Sequence, residues 1–337
     1  MPSIKDVAKL AGVSVMTASR VLNNKGSVSQ NARLKVQKAV KELDYIPNLT
    51  ARSLRARRTH LLGLLVPDIE NPIFASMVKY VEEAAQKRGY DVMLGSTWED
   101  PKREASYYEI MLARQMEGII VAPVANDNNR LFSNAASPVV VLDRSFSGDS
   151  APASVTVDNR EVGRLVAAHF LALGHRHFAA IMGPLHIDVF AERLEGFKSV
   201  LAEHGHDVDY IATVEVTGKM DYGAKAGEEV FAACRSRPLA LFCANDMTAL
   251  GAMKTALRLG LSIPADVSLA GVDGIPAGEL GTPSLTTVRQ PVRDMAARGV
   301  NALIDILEGK TSEAHPRRVL LKPELVVRES TGEYGKC

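Results

Sequence analysis

Through residue 45 the apolar positions recur at helical spacing and never alternate as in a strand. Val7, Ala8 and Ala11 share one face of a helix over Ile4 to Ala11, opened by a Ser3/Asp6 capping box. Gly12 stands where a helix C-cap needs positive φ, and Val13 can pack into the turn that follows. Ser14 caps a second helix, Val15 to Asn23, whose Ala18, Val21 and Leu22 face inward. Ser29 opens a longer helix that runs to about Leu43 and is ended by Asp44 and Pro47. From His60 the pattern changes. Short apolar runs at 61–67, 91–95, 118–122, 138–142, 178–183, 239–244 and 267–272 read as buried parallel strands. Amphipathic stretches at 73–88, 102–115, 160–173 and 247–259 lie between them. This alternation predicts doubly wound α/β units with right-handed crossovers. It restarts near Phe178, after Gly174, so two similar subdomains with a cleft between them are expected. Ligands in such sheets sit at the carboxyl ends of the strands, here Pro67/Asp68, Asp143, Gly183, Asn245/Asp246 and Asp273.

Composition narrows the class. A chain of 337 residues, 46% hydrophobic and 23% charged, supports two or three domains and excludes a disordered or collagen-like polymer. No apolar run approaches a membrane helix, the start MPSIKDVAK lacks a signal-peptide core, and a cytoplasmic protein is expected. Three irregularly spaced cysteines suit neither a disulfide framework nor a zinc site, and no cofactor is expected. Charge changes the picture most. Through residue 60, twelve Lys/Arg stand against Asp6, Glu42 and Asp44, so the net +1 of the whole chain divides into a head of +9 and a body of −8. Only the head is built to meet a polyanion, although charge alone is also compatible with a solvated lysine-rich face.

The helices at 4–11 and 15–23 make a helix-turn-helix candidate. With its inward residues removed, the second helix presents Val15, Met16, Thr17, Ser19 and Arg20. Exposed apolar residues followed by an Arg suit a major groove, where they can meet thymine methyls and a guanine edge. Ser14, Thr17, Ser19, Asn23 and Ser29 supply short donors for phosphates. A three-helix packing motif could carry such residues by chance; the basic head favours DNA. Between Tyr45 and Arg58 lies a short helical stretch with four arginines and almost no acid. A helix of that length is marginal in water, so it is a flexible linker off DNA and a helix on it, with Leu54 placed as a minor-groove wedge.

The segments IKDVAKLAGVS, TASRVLNN, YIPN, ARSL, GLLVPDIENPIF, GHRHFAAIMGP, ERLEGF, CANDMTALGAM, IPADVSLAGVD and PSLTTVRQP resemble, in order and spacing, the LacI/GalR family of bacterial transcriptional regulators. The resemblance spans essentially the whole chain. It implies an α/β fold with a helix-turn-helix head at 1–46, a hinge helix or linker at 47–59, and a periplasmic-binding-protein-like core at 60–337. The core's subdomains are expected at 60–160 plus the crossover region 291–325, and at 161–290. The resemblance also implies a homodimer on a pseudopalindromic operator, controlled by a small effector. It places Val15, Met16 and Arg20 at base edges, Tyr45 and Asn48 among the DNA-contacting residues, and Ala51 and Leu54 in the minor groove. Phe74, Asp143, Arg193, Tyr222, Asn245, Asp273 and Gln290 fall at effector-pocket positions. Their chemistry suits a sugar: carboxylates and amides for hydroxyls, a guanidinium fork, and aromatic faces for a ring. Taken singly, each also reads as a strand-end cap or surface ion pair.

Three departures matter. Ala32 replaces a phosphate-contacting Thr of many relatives, and Ile187 and Val189 are apolar where purine-responsive members are polar. The chain also ends at Cys337 without a leucine-heptad tail, which favours a dimer over a tetramer. A purine- or nucleoside-responsive regulator of the same family and a cytoplasmic solute-binding protein remain alternatives. An enzyme is not expected. G-x-G-x-x-G, G-x-S-x-G and H-E-x-x-H are absent, and Gly309-Lys310-Thr311 has Ile304 where a P-loop needs Gly. His175/His177 and His204/His206 read as surface imidazoles rather than a metal pair.

Overall fold

A computed structural model describes residues 2–22, 27–45, 58–124, 131–132, 136–144, 152–215, 218–310 and 318–335. The chain divides into two compact units, 1–59 and 60–337. In the first, α1 (Ile4–Ala11), α2 (Val15–Leu22) and α3 (Gln30–Glu42) enclose a core of Val7, Ala8, Ala11, Ala18, Val21, Val36 and Ala39. The local signals act as expected. Ser3 and Asp6 form the capping box, Gly12 takes φ 62°, and the Ser29 hydroxyl accepts from the Ala32 amide at 3.3 Å. Asn23, Asn48, Ala51, Leu54 and the expected hinge helix lie outside the described residues.

The second unit holds two six-stranded sheets. The first runs β11 (Arg318–Leu321), β5 (Ala153–Val157), β4 (Val139–Asp143), β3 (Gly118–Val121), β1 (Leu61–Val66), β2 (Asp91–Ser96), all parallel. The second runs β12 (Glu324–Val326), β10 (Thr286–Arg289), β9 (Val267–Asp273), β8 (Leu239–Cys243), β6 (His177–Met182), β7 (Tyr210–Thr213), with only β12 antiparallel. Central strands such as β3, β8 and β9 are buried along their full length, because helices cover both faces of a parallel sheet. The helices are α4 (Pro72–Lys87), α5 (Pro101–Ala113), α6 (Asn159–Ala172), α7 (Asp188–Glu203), α8 (Met220–Ala233), α9 (Asp246–Arg258), α10 (Pro276–Leu280) and α11 (Val292–Leu307).

The chain passes between the sheets after β5, after β10 and again after β11. That third passage falls inside the expected 291–325 crossover region. β12 pairs with β10, so the first subdomain's share of the tail ends with β11 at Leu321. His175 differs from expectation. It is buried, not on the surface, and its Nε2 lies 3.1 Å from the Gly332 carbonyl, which ties the tail to the second subdomain.

Two glycines set the height at which α7 sits on α6. A Cβ at Gly163 would run into the Arg193 carbonyl, and one at Gly196 into the Arg160 carbonyl. This close approach fixes the helix that carries Arg193.

Candidate functional site

Six of the seven expected pocket residues line one cavity between the two sheets: Phe74, Asp143, Arg193, Asn245, Asp273 and Gln290. The strand ends bring them together. Asp143 closes β4, Asp273 closes β9, Asn245 follows β8 and caps α9 by accepting from the Thr248 amide at 2.9 Å, and Gln290 follows β10. Phe74 comes from the first turn of α4 and Arg193 from the second turn of α7.

Both aspartates have left-handed backbones, φ 66° at Asp143 and φ 116° at Asp273. Such conformations cost non-glycine residues about 1–3 kcal/mol and persist where the surroundings hold them, commonly at ligand sites. Asp273 accepts from Gln290 Nε2 at 2.8 Å, and burial pushes its carboxyl well above the usual carboxylate range. Arg193 counters that shift. Its guanidinium is itself buried, donating through Nε to Asn159 at 3.0 Å and through Nη1 to the Ala244 carbonyl at 2.6 Å. Burial weakens its hold on the proton, while Asp273 and Asp143 strengthen it. The cavity therefore combines carboxylate acceptors, a buried cation and amide groups between two phenylalanines, Phe74 and Phe190.

Tyr222 does not belong to that lining. α8 packs on α9 through Gly223 and Gly227, too closely for a large side chain, and Tyr222 is turned outward at 38% exposure. The aromatic rings that line the cavity are those of Phe74 and of Phe190, one turn before Arg193 on α7. The spacing of Phe190 and Arg193 in FAER was the signal for it. Asn71, Ile73 and Arg144 also line the cavity and were not foreseen; Val189, noted only as an apolar departure, lines it too. Near this wall the subdomains meet again, with Lys219 3.5 Å from Glu70 and Gly218 packed against Asp68 and Asn71.

Within the head, α2 turns Val15 and Met16 outward at 41% and 65% exposure, and Arg20 is exposed beside them. Thr17 and Ser19 are half-buried, and Ser29 is exposed. The Ser14 hydroxyl accepts from the Thr17 amide at 3.1 Å, capping the helix, and lies 2.9 Å from the Thr17 hydroxyl. Tyr45 packs against the head core, half-buried. Among the described residues no group of His, Cys, Asp and Glu is arranged to hold a metal, and no helix is long and apolar enough to cross a membrane.

A helix-turn-helix head ahead of a two-sheet core with a cavity lined by charged and amide side chains defines a ligand-responsive DNA-binding regulator. The chain matches the family model for bacterial regulatory proteins of the lacI family at residues 3–48, and that for a periplasmic binding protein-like domain at 167–331. It is 37% identical over 334 residues to the ribose operon repressor of Halalkalibacterium halodurans, covering 98% of this chain and 97% of that one. It is 34% identical to the HTH-type transcriptional repressor PurR of Vibrio vulnificus, covering 98% of each. Its fold superposes on the lac repressor dimer bound to operator and the anti-inducer ONPF with a TM-score of 0.87, at 27% identity, covering 98% of this chain and 99% of that one. The chain belongs to the LacI family of bacterial transcriptional regulators.

Proposed function

We propose that this protein is a homodimeric repressor that binds a pseudopalindromic operator through α2 and is released from it by a small sugar held in the cavity. The observation that carries the sugar reading is the pair of strand-end aspartates, one from each sheet, facing a single cavity with Arg193, Asn245 and Gln290. Adjacent hydroxyls of a sugar donate to such carboxylates and accept from the guanidinium and amides, and a ring face packs on Phe74 or Phe190. Val189 on the wall offers no hydrogen bond to a nucleobase edge. The name of the ribose operon repressor agrees with a sugar, and that of PurR makes a purine the competing ligand.

A ligand that touches both subdomains favours the conformation in which they are closed around it. It acts on DNA binding only through its difference in affinity for the two conformations. Release on binding follows if closure alters the spacing of the two heads in the dimer.

A thermal-shift screen of pentoses, hexoses, nucleosides and purine bases, followed by titration of each hit into the protein–operator complex, tests this reading. A sugar that stabilises the protein and weakens operator binding is expected. A purine or nucleoside hit without a sugar hit overturns the ligand, and a hit that tightens operator binding overturns release.

A further inference from the structure

The cavity contains two arginines, and neither presents a free fork. Arg193 has Nε on Asn159 and Nη1 on the Ala244 carbonyl. Arg144, buried in the wall directly after Asp143, gives Nη1 to the carbonyls of Pro123 (2.7 Å) and Val124 and points Nη2 at Glu99, 3.7 Å away. As they stand, neither guanidinium can pair bidentately with a phosphate or carboxylate, the strongest way in which Arg holds these groups.

Glu99 reaches Arg144 by an unusual route. In the turn between β2 and α5, Trp98 and Glu99 are consecutive non-glycine residues, each at φ 57°, a region such side chains seldom occupy. The turn is pinned by amide bonds from Glu99 to the Pro67 carbonyl (3.1 Å) and from Asp100 to the Thr97 carbonyl (3.1 Å). Arg103 lies over the Trp98 ring at 3.6 Å and is itself anchored on the Ser96 carbonyl and the Tyr107 hydroxyl. The charged groups around Glu99 are Arg144, Asp68 and Asp143. Placing a third carboxylate beside two others is unfavourable except through Arg144. In and behind the cavity, three carboxyls (Asp143, Asp273 and Glu99) face two guanidiniums. A phosphate or carboxylate on a ligand would have to draw a guanidinium away from these partners.

We propose that Glu99 is a positioning residue for ligand specificity: by holding Arg144 against its own wall, it restricts the cavity to uncharged polyhydroxy ligands and excludes their phosphorylated and carboxylate forms. This rests on the cavity being the effector site. The test is calorimetric titration of the full-length protein with D-ribose, D-xylulose and D-glucose, and with D-ribose 5-phosphate, D-ribonate and D-glucose 6-phosphate. Emission of the single tryptophan, Trp98, provides a second readout. The wild type should bind a neutral sugar and discriminate at least about tenfold against its charged counterpart. Glu99→Gln should narrow that gap by gaining affinity for the anion, and adding Arg144→Met should cancel the gain, which a merely structural role for Glu99 would not produce. A wild-type preference for a sugar phosphate, or a Glu99→Gln variant that gains nothing for anions, overturns the proposal and leaves the cavity reading standing. Binding of none of the six overturns the cavity reading and the proposal with it.

Discussion

The head and the core place their working residues in opposite environments. In the head, Val15, Met16 and Arg20 stand outside a small core that does not include them. In the core, Arg193 and Asp273 are 3% and 5% exposed, and each is engaged with neighbours that also hold the subdomain together. A surface that reads DNA can thus change residue by residue at little cost in stability. A cavity made of buried charge cannot, because removing one member leaves the others unsatisfied.

The sharpest way to break this contrast is at Arg193. Arg193→Ala should lower core stability by about 3–5 kcal/mol, since Asn159 and the Ala244 carbonyl lose their donor and Asp273 loses its offsetting cation. Denaturant unfolding measures this, and an unchanged midpoint would show the cation to be dispensable. Gly196→Ala comes next, at about 1–3 kcal/mol, because the added methyl has only the Arg160 backbone to move against. It should also weaken ligand binding by shifting α7.

On the head side, Arg20→Ala should cost about 1–3 kcal/mol in specific operator binding and relax specificity at one base pair per half-site. Thermal unfolding should be unaffected. A variant that binds all sequences equally weakly, with a reduced salt dependence, would make Arg20 a phosphate contact.

A smaller effect on stability than at Arg193 or Gly196 is expected at Asp273, and its pH dependence follows from burial. Asp273 and Asp246 both have carboxyl pKa values raised in the fold, Asp246 to about 6 from 3.8. A raised value means that the folded state holds protons the unfolded state has released. For Asp246 that contribution is complete below about 3.8 and is lost as the pH rises through about 6, and Asp273 adds one of the same sign. Asp273→Asn keeps the acceptor for Gln290 without the buried charge. It should remove Asp273's share of that pH dependence and, by leaving buried Arg193 with one counter-ion fewer, lower stability at pH 7 by less than Arg193→Ala does, while abolishing the response to ligand. A steeper curve would place the compensating charge elsewhere.

How much of this was legible in the sequence depended on how each element is buried. β1, β3, β4, β6, β8 and β9 are nearly unbroken apolar runs and declared themselves. β10 did not, because its buried Thr286 and Thr287 are satisfied by hydrogen bonds to the Arg328 carbonyl and to Asp246, partners distant in sequence. β7, β11 and β12 are short edge strands with half-exposed faces, which weakens any alternation. Within the site, the strand-end residues Asp143, Asn245 and Asp273 were readable from topology. Arg144 was not, since nothing local indicates that its guanidinium turns inward to the Pro123 and Val124 carbonyls. Tyr222 lies outside the cavity lining, and the glycine face of α8 that turns it outward is defined only by the helix it packs against.

The central claim is that occupancy of the core cavity controls the head's hold on DNA. Operator affinity measured by fluorescence anisotropy, with and without the stabilising sugar, tests it most directly in wild type and Asp273→Asn side by side. The wild type should lose roughly 5- to 150-fold in affinity when the ligand is saturating, the range of a coupling of about 1–3 kcal/mol, and Asp273→Asn should bind the operator as wild type does without responding. A ligand that binds the wild type tightly yet leaves its operator affinity unchanged would contradict the claim.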